Sequence, residues 1–270
     1  VGLILEVCVD TVAGLDAAVA GGADRIELCS ALALGGLTPS AGFMAEAAAC
    51  DLPVMAMIRP RAGDFVWSEA EVAVMEADIA AAREAGLAGV VLGASLPDGR
   101  LDVPVLERLV AAAGRGRFLR RHRAGAFEGS GPEFSRTPVP ADLTLHRCFD
   151  LVPDMGAALE EAVALGFRRI LTSGGAETAE AGAARIAALT RQAAGRIVIM
   201  PGAGVSAGNA ARLLGLGTGE LHGSCSVTVH ADGPEVALGF GPTTVRQTDA
   251  VTVRAVKRAM EDAVGDQRHV

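Results

Sequence analysis

Residues 3–30 read LILEVCVDTVAGLDAAVAGGADRIELCS, and the fold follows from how this stretch is parsed. Two short apolar runs, LEVCVD at 5–10 and IELCS at 26–30, carry one motif twice: Glu6-x-Cys8 and Glu27-x-Cys29. Side chains two apart on a strand share a face. In the first run Leu5, Val7 and Val9 therefore take one side, while Glu6, Cys8 and Asp10 take the other. The intervening segment is rich in Ala and is flanked by Asp10-Thr11, which suits a helix N-cap, and by Gly22-Ala23, which suits a left-handed stop. The parse is strand, helix, strand, with polar groups converging at the ends of two neighbouring strands.

The same alternation runs on. Strands are expected at 3–9, 25–29, 54–58, 89–92, 143–146, 168–172, 197–200 and 220–222, and helices at 11–21, 40–50, 69–86, 103–113, 155–165, 178–194, 206–215 and 249–264. Further helix starts are marked by Ser68-x-x-Glu71 and Asp154, and further stops by Gly86-Leu87 and Gly166-Phe167. Strands alternating with helices imply a parallel sheet, and eight such units predict an α/β fold, a (β/α)8 TIM-like barrel forming one domain over residues 1–270. A doubly wound open sheet is the alternative, but no GxGxxG follows the first strand. Two segments break the rhythm. Residues 115–141 hold six Arg and one His among Gly and Pro, and read as a surface insertion or a basic patch. Residues 224–248 read as a long loop on the C-terminal rim, where covers of TIM-barrel sites sit.

Composition narrows the function. The 270 residues carry a formal charge of −8, which argues against nucleic acid and anionic membranes as partners. No apolar run reaches the roughly 18 residues of a membrane span. No charged segment followed by a long apolar stretch opens the sequence, and five scattered cysteines are not a disulfide framework. The expected location is the cytoplasm.

In a barrel, function is read at the C-terminal strand ends. Glu6, Cys8 and Asp10 end the first strand, Glu27 and Cys29 the second, Arg59 the third, His146, Arg147 and Asp150 the fifth, and His222 and Ser224 the eighth. Three chemistries compete. Cys8 and Cys29 are equivalent in adjacent strands, and two thiolates suit a soft ion such as Cu(I); His222 and Cys225 could add ligands, and core packing is the alternative for the thiols. Glu27, Arg59, His146 and Asp150 could instead run acid–base catalysis, with Arg59 clamping an anion; a structural Glu27–Arg59 ion pair is the bland version. The glycine loops TSGG at 172–175 and PGAGV at 201–205, with Ser224, could hold the phosphate of a small anionic metabolite through Gly174, Gly175, Gly202 and Gly204. A barrel that only binds a partner is a further reading.

The chain also resembles the CutC family of copper homeostasis proteins. The resemblance rests on LEVCVD (5–10), GGADRIELCSALALGGLTPS (21–40), MIRPRAGDF (57–65), LHRCFDLVPD (145–154), RILTSGG (169–175), IVIMPGAGV (197–205) and ELHGS (220–224). It implies a TIM-like barrel, a cytoplasmic homo-oligomer, and copper handling with Cu(I) on Cys8 and Cys29. The chain departs from the family pattern in its long Arg-rich insertion, and in Cys148 and Cys225, which stand where small residues are expected.

Overall fold

The computed structural model describes residues 2–114, 118–123, 134–139 and 141–266. Eight parallel strands form the central sheet: β1 (Ile4–Val9), β2 (Arg25–Leu28), β3 (Val54–Met57), β4 (Gly89–Leu92), β7 (Asp142–Leu145), β8 (Arg169–Thr172), β9 (Val198–Pro201) and β10 (Glu220–Gly223). Their order is β10-β1-β2-β3-β4-β7-β8-β9, so β10 returns to pair with β1 and the sheet is a nearly closed (β/α)8 barrel. The helices are α1 (Val12–Gly21), α2 (Ala41–Ala47), α3 (Glu69–Glu84), α4 (Val103–Gly114), α5 (Met155–Ala164), α6 (Ala183–Ala193), α7 (Ala210–Leu214), α8 (Pro234–Ala237) and α9 (Ala250–Asp266).

The expected signals act where the sequence places them. Thr11 caps α1 by accepting from Gly14 N at 3.0 Å. Ser68 and Glu71 form a reciprocal capping box at α3, and Asp154 accepts from Ala157 N at 3.0 Å to start α5. Gly22 stops α1 at φ 90°, a backbone state closed to most side chains. Leu5, Val7, Val9, Ile26 and Leu28 join the main core with the helix residues Leu15, Ala18 and Val253. Glu6, Cys8, Arg25 and Glu27, which alternate with them, turn into the barrel.

The ends of several helices differ from expectation. Helix α6 starts at 183 rather than 178, because the turn before it packs on the loop after β8. A Cβ at Gly182 would lie 1.9 Å from Ser173 O, so that approach requires glycine. Two short 3-10 turns, 32–34 and 147–151, occupy loops after β2 and β7. Residues 224–248 are not an irregular loop. They form an antiparallel ribbon of β11 (Ser226–His230) and β12 (Thr244–Thr248), with α8 between its arms. Its Val227 and Val229 alternate with polar residues as a strand requires, a pattern masked by the Gly/Pro-rich stretch 233–242. In the insertion, β5 (Phe118–Arg123) and β6 (Phe134–Val139) pair antiparallel. The remainder of the insertion, and the basic patch read from its side chains, lie outside the described residues.

The lower half of the barrel is filled by charge. Arg169 on β8 grips Asp142 bidentately, at 2.6 and 3.1 Å, and donates to Glu220 at 3.0 Å. Arg25 on β2 donates to Glu220 at 2.5 Å and to Glu6. Strands β9 and β10 share no ladder, and these arginines span the gap. Arg25 also touches Met200 Sδ on β9 at 3.2 Å, and Thr218 Oγ1 donates to Ile199 O at 2.5 Å. Burial alone would raise the Glu6 pKa, but Arg25, with His222 and Arg169, overrides it and holds the carboxyl well below its ordinary 4.5.

Removing one partner of a buried pair leaves an uncompensated charge. Arg169→Met, which strands Glu220 and Asp142, is expected to lower stability by about 3–5 kcal/mol in urea denaturation. Glu6 contributes fully above its unfolded pKa of 4.5, and that contribution is lost as pH falls toward the depressed folded value. Thermal melts of wild type should therefore drop chiefly below about pH 5. Glu6→Gln should start from a lower melting temperature but lose less over the same acid range; parallel pH curves would contradict this assignment.

Candidate functional site

The C-terminal strand ends open into a cavity of about 1050 Å³. Cys8, Glu27, Arg59, His146 and His222 line it from the barrel, and Ser226, Thr244 and Arg246 from the ribbon. At its base Cys8, Glu27 and His222 each offer one donor atom, all within 4.8 Å of one another, and all three residues are buried. Among the described residues this is the one such group of His, Cys and carboxylate side chains.

The strand register builds the group. Cys8 on β1 lies opposite Glu27 on β2, and Glu6 lies opposite His222 on β10. Glu6 Oε1 sits 2.8 Å from His222 Nδ1, so Nε2 faces Glu27, whose Oε2 is 3.7 Å away. A carboxylate behind one ring nitrogen fixes the tautomer and presents the other to a metal. Burial lowers the His222 pKa, but the charge of Glu27, the Cys8 sulfur beside the ring and the hydrogen bond to Glu6 outweigh it and carry the pKa well above 6.5. Burial pushes the Glu27 pKa up; His222 opposes that shift and Glu6 adds to it.

The other thiols divide. Cys29 packs with Met55, Met57 and Val91, and its thiol lies 3.6 Å from Glu27 Oε2. It thus shares Glu27 with Cys8 without belonging to the close group. Burial, then the Glu27 and Cys8 charges, push its pKa well above 9.0. Cys225 is 4% exposed, belongs to the outer core and is pushed up to about 12 by burial. Cys148 packs in the same outer core.

Arg59 does not pair with Glu27. It lies beyond the end of β3 and turns toward the loops, donating to the carbonyls of Leu34 (2.9 Å), Gly36 (3.1 Å) and Gly63 (3.0 Å). Its guanidinium carbon stands 5.0 Å from the centroid of Phe65. The Phe65 ring also meets His146, at 4.8 Å between centroids. His146 Nδ1 accepts from Cys148 N at 3.2 Å, so the neutral ring carries its proton on Nε2. Burial, then the Arg59 charge, hold the His146 pKa down to about 3. It therefore acts as a neutral donor. Three buried polar atoms here have no hydrogen-bond partner: Glu27 Oε1, Arg59 Nε and His146 Nε2.

Asp150 is fully engaged elsewhere. It accepts from Ser173 N at 3.0 and 3.1 Å, Gly175 N at 3.1 Å, Thr172 Oγ1 at 2.5 Å and Arg147 Nε at 2.7 Å. The TSGG loop therefore wraps its amides around a carboxylate of the chain itself. Gly174 and Gly175 take positive φ to do so, 70° and 71°. Gly202 N donates to Thr172 O at 3.0 Å. Gly204 and Ser224 do line the cavity; Ser224 Oγ is 2.8 Å from Ser226 Oγ in the ribbon.

Sequence reasoning brought Cys8, Cys29, Glu27 and His222 to one mouth. It missed the role of Gly93. A Cβ there would lie 2.4 Å from Cys148 Sγ and 2.5 Å from His146 Cε1. Gly93 follows directly on β4, and its lack of a side chain is what lets the imidazole lie across that strand end.

The CutC family model matches residues 3–128 and 134–227. A family protein CutC of Sinorhizobium medicae is 51% identical over 261 residues, covering 96% of each chain. One from Agrobacterium fabrum is 53% identical over 261 residues, covering 95% of this chain and 94% of its own. The crystal structure of CutC from Streptococcus agalactiae, a protein named for copper homeostasis, superposes with a TM-score of 0.70. It is 32% identical, over 82% of this chain and 98% of that one.

Gly93→Ala tests the cradle. It is expected to cost about 1–3 kcal/mol through overpacking and to shift the His146 imidazole resonances in a ¹H–¹³C spectrum. Unchanged stability and unchanged resonances would mean that His146 is not held against Gly93.

Proposed function

The chain belongs to the CutC family, and from that premise we propose that it handles copper by binding Cu(I) at the base of the barrel mouth. The observation that carries this reading is the convergence of Cys8, Glu27 and His222 within 4.8 Å. A thiolate and an imidazole suit Cu(I), which accepts low coordination numbers. Cys8 supplies the thiolate and His222 Nε2 the nitrogen, each releasing its proton to solvent as the ion binds, with Glu6 holding the ring from behind. Cys29 is the second sulfur, reached once its proton leaves; Glu27, 3.6 Å away, is the acceptor for it. Cu(I) is cargo in this reading, buffered or passed on, and no reaction is needed.

The cytoplasm is the location we assign. Cys8, Cys29, Cys148 and Cys225 are free thiols, which suits a reducing compartment. No described helix is long and apolar enough to cross a membrane.

An anaerobic Cu(I) competition titration against a chromogenic chelator tests the reading. Wild type should take up one equivalent. Cys8→Ser should lose binding by at least about 100-fold, as for removal of a direct ligand or its support. Cys29→Ser should lose less, and the double variant should not compete. Equal binding by wild type and the double variant would refute thiolate coordination here.

A further inference from the structure

The β3–β7 side of the mouth holds a charge that the fold leaves without a counter-ion. Arg59 is 6% exposed, yet its hydrogen-bond partners are three neutral carbonyls and its ring contact is Phe65. Among the described residues no carboxylate forms an ion pair with it. A buried guanidinium in this state is costly. Its Nε–H is one of two buried donors left without a partner among the described residues that line the cavity; the other is His146 Nε2–H. Both side chains contact the same Phe65 ring and both residues line the cavity. One acceptor, Glu27 Oε1, is also unpartnered and lines the same cavity. Buried polar groups of a native fold are nearly always paired, by protein, water or ligand.

We propose that this mouth binds a small organic carboxylate bearing a hydroxyl or amino group. The carboxylate oxygens accept from Arg59 Nε–H and His146 Nε2–H, both closed to solvent in this structure, once those side chains turn toward the ligand, and neutralise the guanidinium. The hydroxyl or amino group donates to Glu27 Oε1. The carbon body lies against Met57, Phe65, Leu171 and Val205, which line the same space. Two unpartnered donors match a carboxylate better than a phosphate, which needs more. The backbone amides of Ser173 and Gly175 that would have served a phosphate are already given to Asp150. The inference goes beyond copper handling: neither donor belongs to the Cys8 group, and only Glu27, through its other oxygen, is shared with it.

The test is calorimetry on metal-free protein with L-malate, L-lactate, citrate and L-serine, and with malamide and inorganic phosphate as controls. At least one carboxylate should bind, and malamide and phosphate should bind at least tenfold more weakly. Arg59→Lys keeps the charge but cannot present an Nε–H in place, and should weaken the best carboxylate by tenfold or more. His146→Phe, which keeps a ring beside Phe65 and deletes the donor, should do the same and serves if Arg59→Lys does not fold. Cys8→Ser should bind the carboxylate as wild type does, so loss of copper binding and loss of the carboxylate site are read separately. The proposal is overturned if none of the four carboxylates binds wild type, if phosphate binds as tightly, or if the folded variant binds undiminished.

Discussion

Arg25 from β2 and Arg169 from β8 converge on the carboxylate of Glu220, beside the one place where the strand ladder is interrupted. A buried ion pair is rarely more stabilising than a well-packed apolar substitute, so its consequence here is geometric. The arginines tie β10 to strands on both sides of it and set where Glu6 can sit. Arg25 leaves one oxygen of Glu6 for His222, and Glu6 then decides which imidazole nitrogen faces Cys8 and Glu27. The donor group at the mouth is thus the top of a chain of charges: Asp142, Arg169, Glu220, Arg25, Glu6, His222.

The mouth itself contrasts two ways of handling a buried charge. Asp150 is surrounded by amides, a hydroxyl and Arg147, so its demand for hydrogen bonds is met inside the chain. Arg59 is met only by carbonyl oxygens and an aromatic face. The first arrangement builds a rigid turn. The second leaves a buried positive charge without a counter-ion beside a cavity. Polar residues at barrel strand ends therefore do not form one class, and only their partners separate support from function.

Much of this was legible in the chain. The alternation in LEVCVD is enough to assign Glu6 and Cys8 to the barrel interior, since the strand period is two. Eight βα units imply closure, and closure alone makes His222 a neighbour of Cys8. What was not legible depends on side chains reaching across loops. Arg59 looks like the partner of Glu27 by strand position, but two residues beyond β3 its stem swings toward Gly36 and Gly63. Asp150 looks catalytic by its place at the polar end of the fifth strand, yet a 3-10 turn at 147–151 aims it at the amides after β8. The ribbon at 226–248 escaped because both strands are exposed, and exposed strands lack the strong apolar signal of core strands.

The cavity is chemically divided along the barrel wall. On β10, β1 and β2 it presents sulfur and an imidazole backed by carboxylates, a setting for a soft cation. On β3 and β7 it presents N–H donors on a buried positive charge and a neutral imidazole, a setting for a hard anion. Glu27 lines both halves: Oε2 faces His222 and the Cys29 thiol, while Oε1 remains unpartnered. A single carboxyl with its two oxygens in different environments couples the halves by charge. Whatever neutralises Arg59 changes the potential at Glu27, and whatever cation sits at Cys8 changes it in the opposite sense. Occupants of opposite sign would therefore favour one another through the same carboxyl that separates them, with no movement of the barrel required.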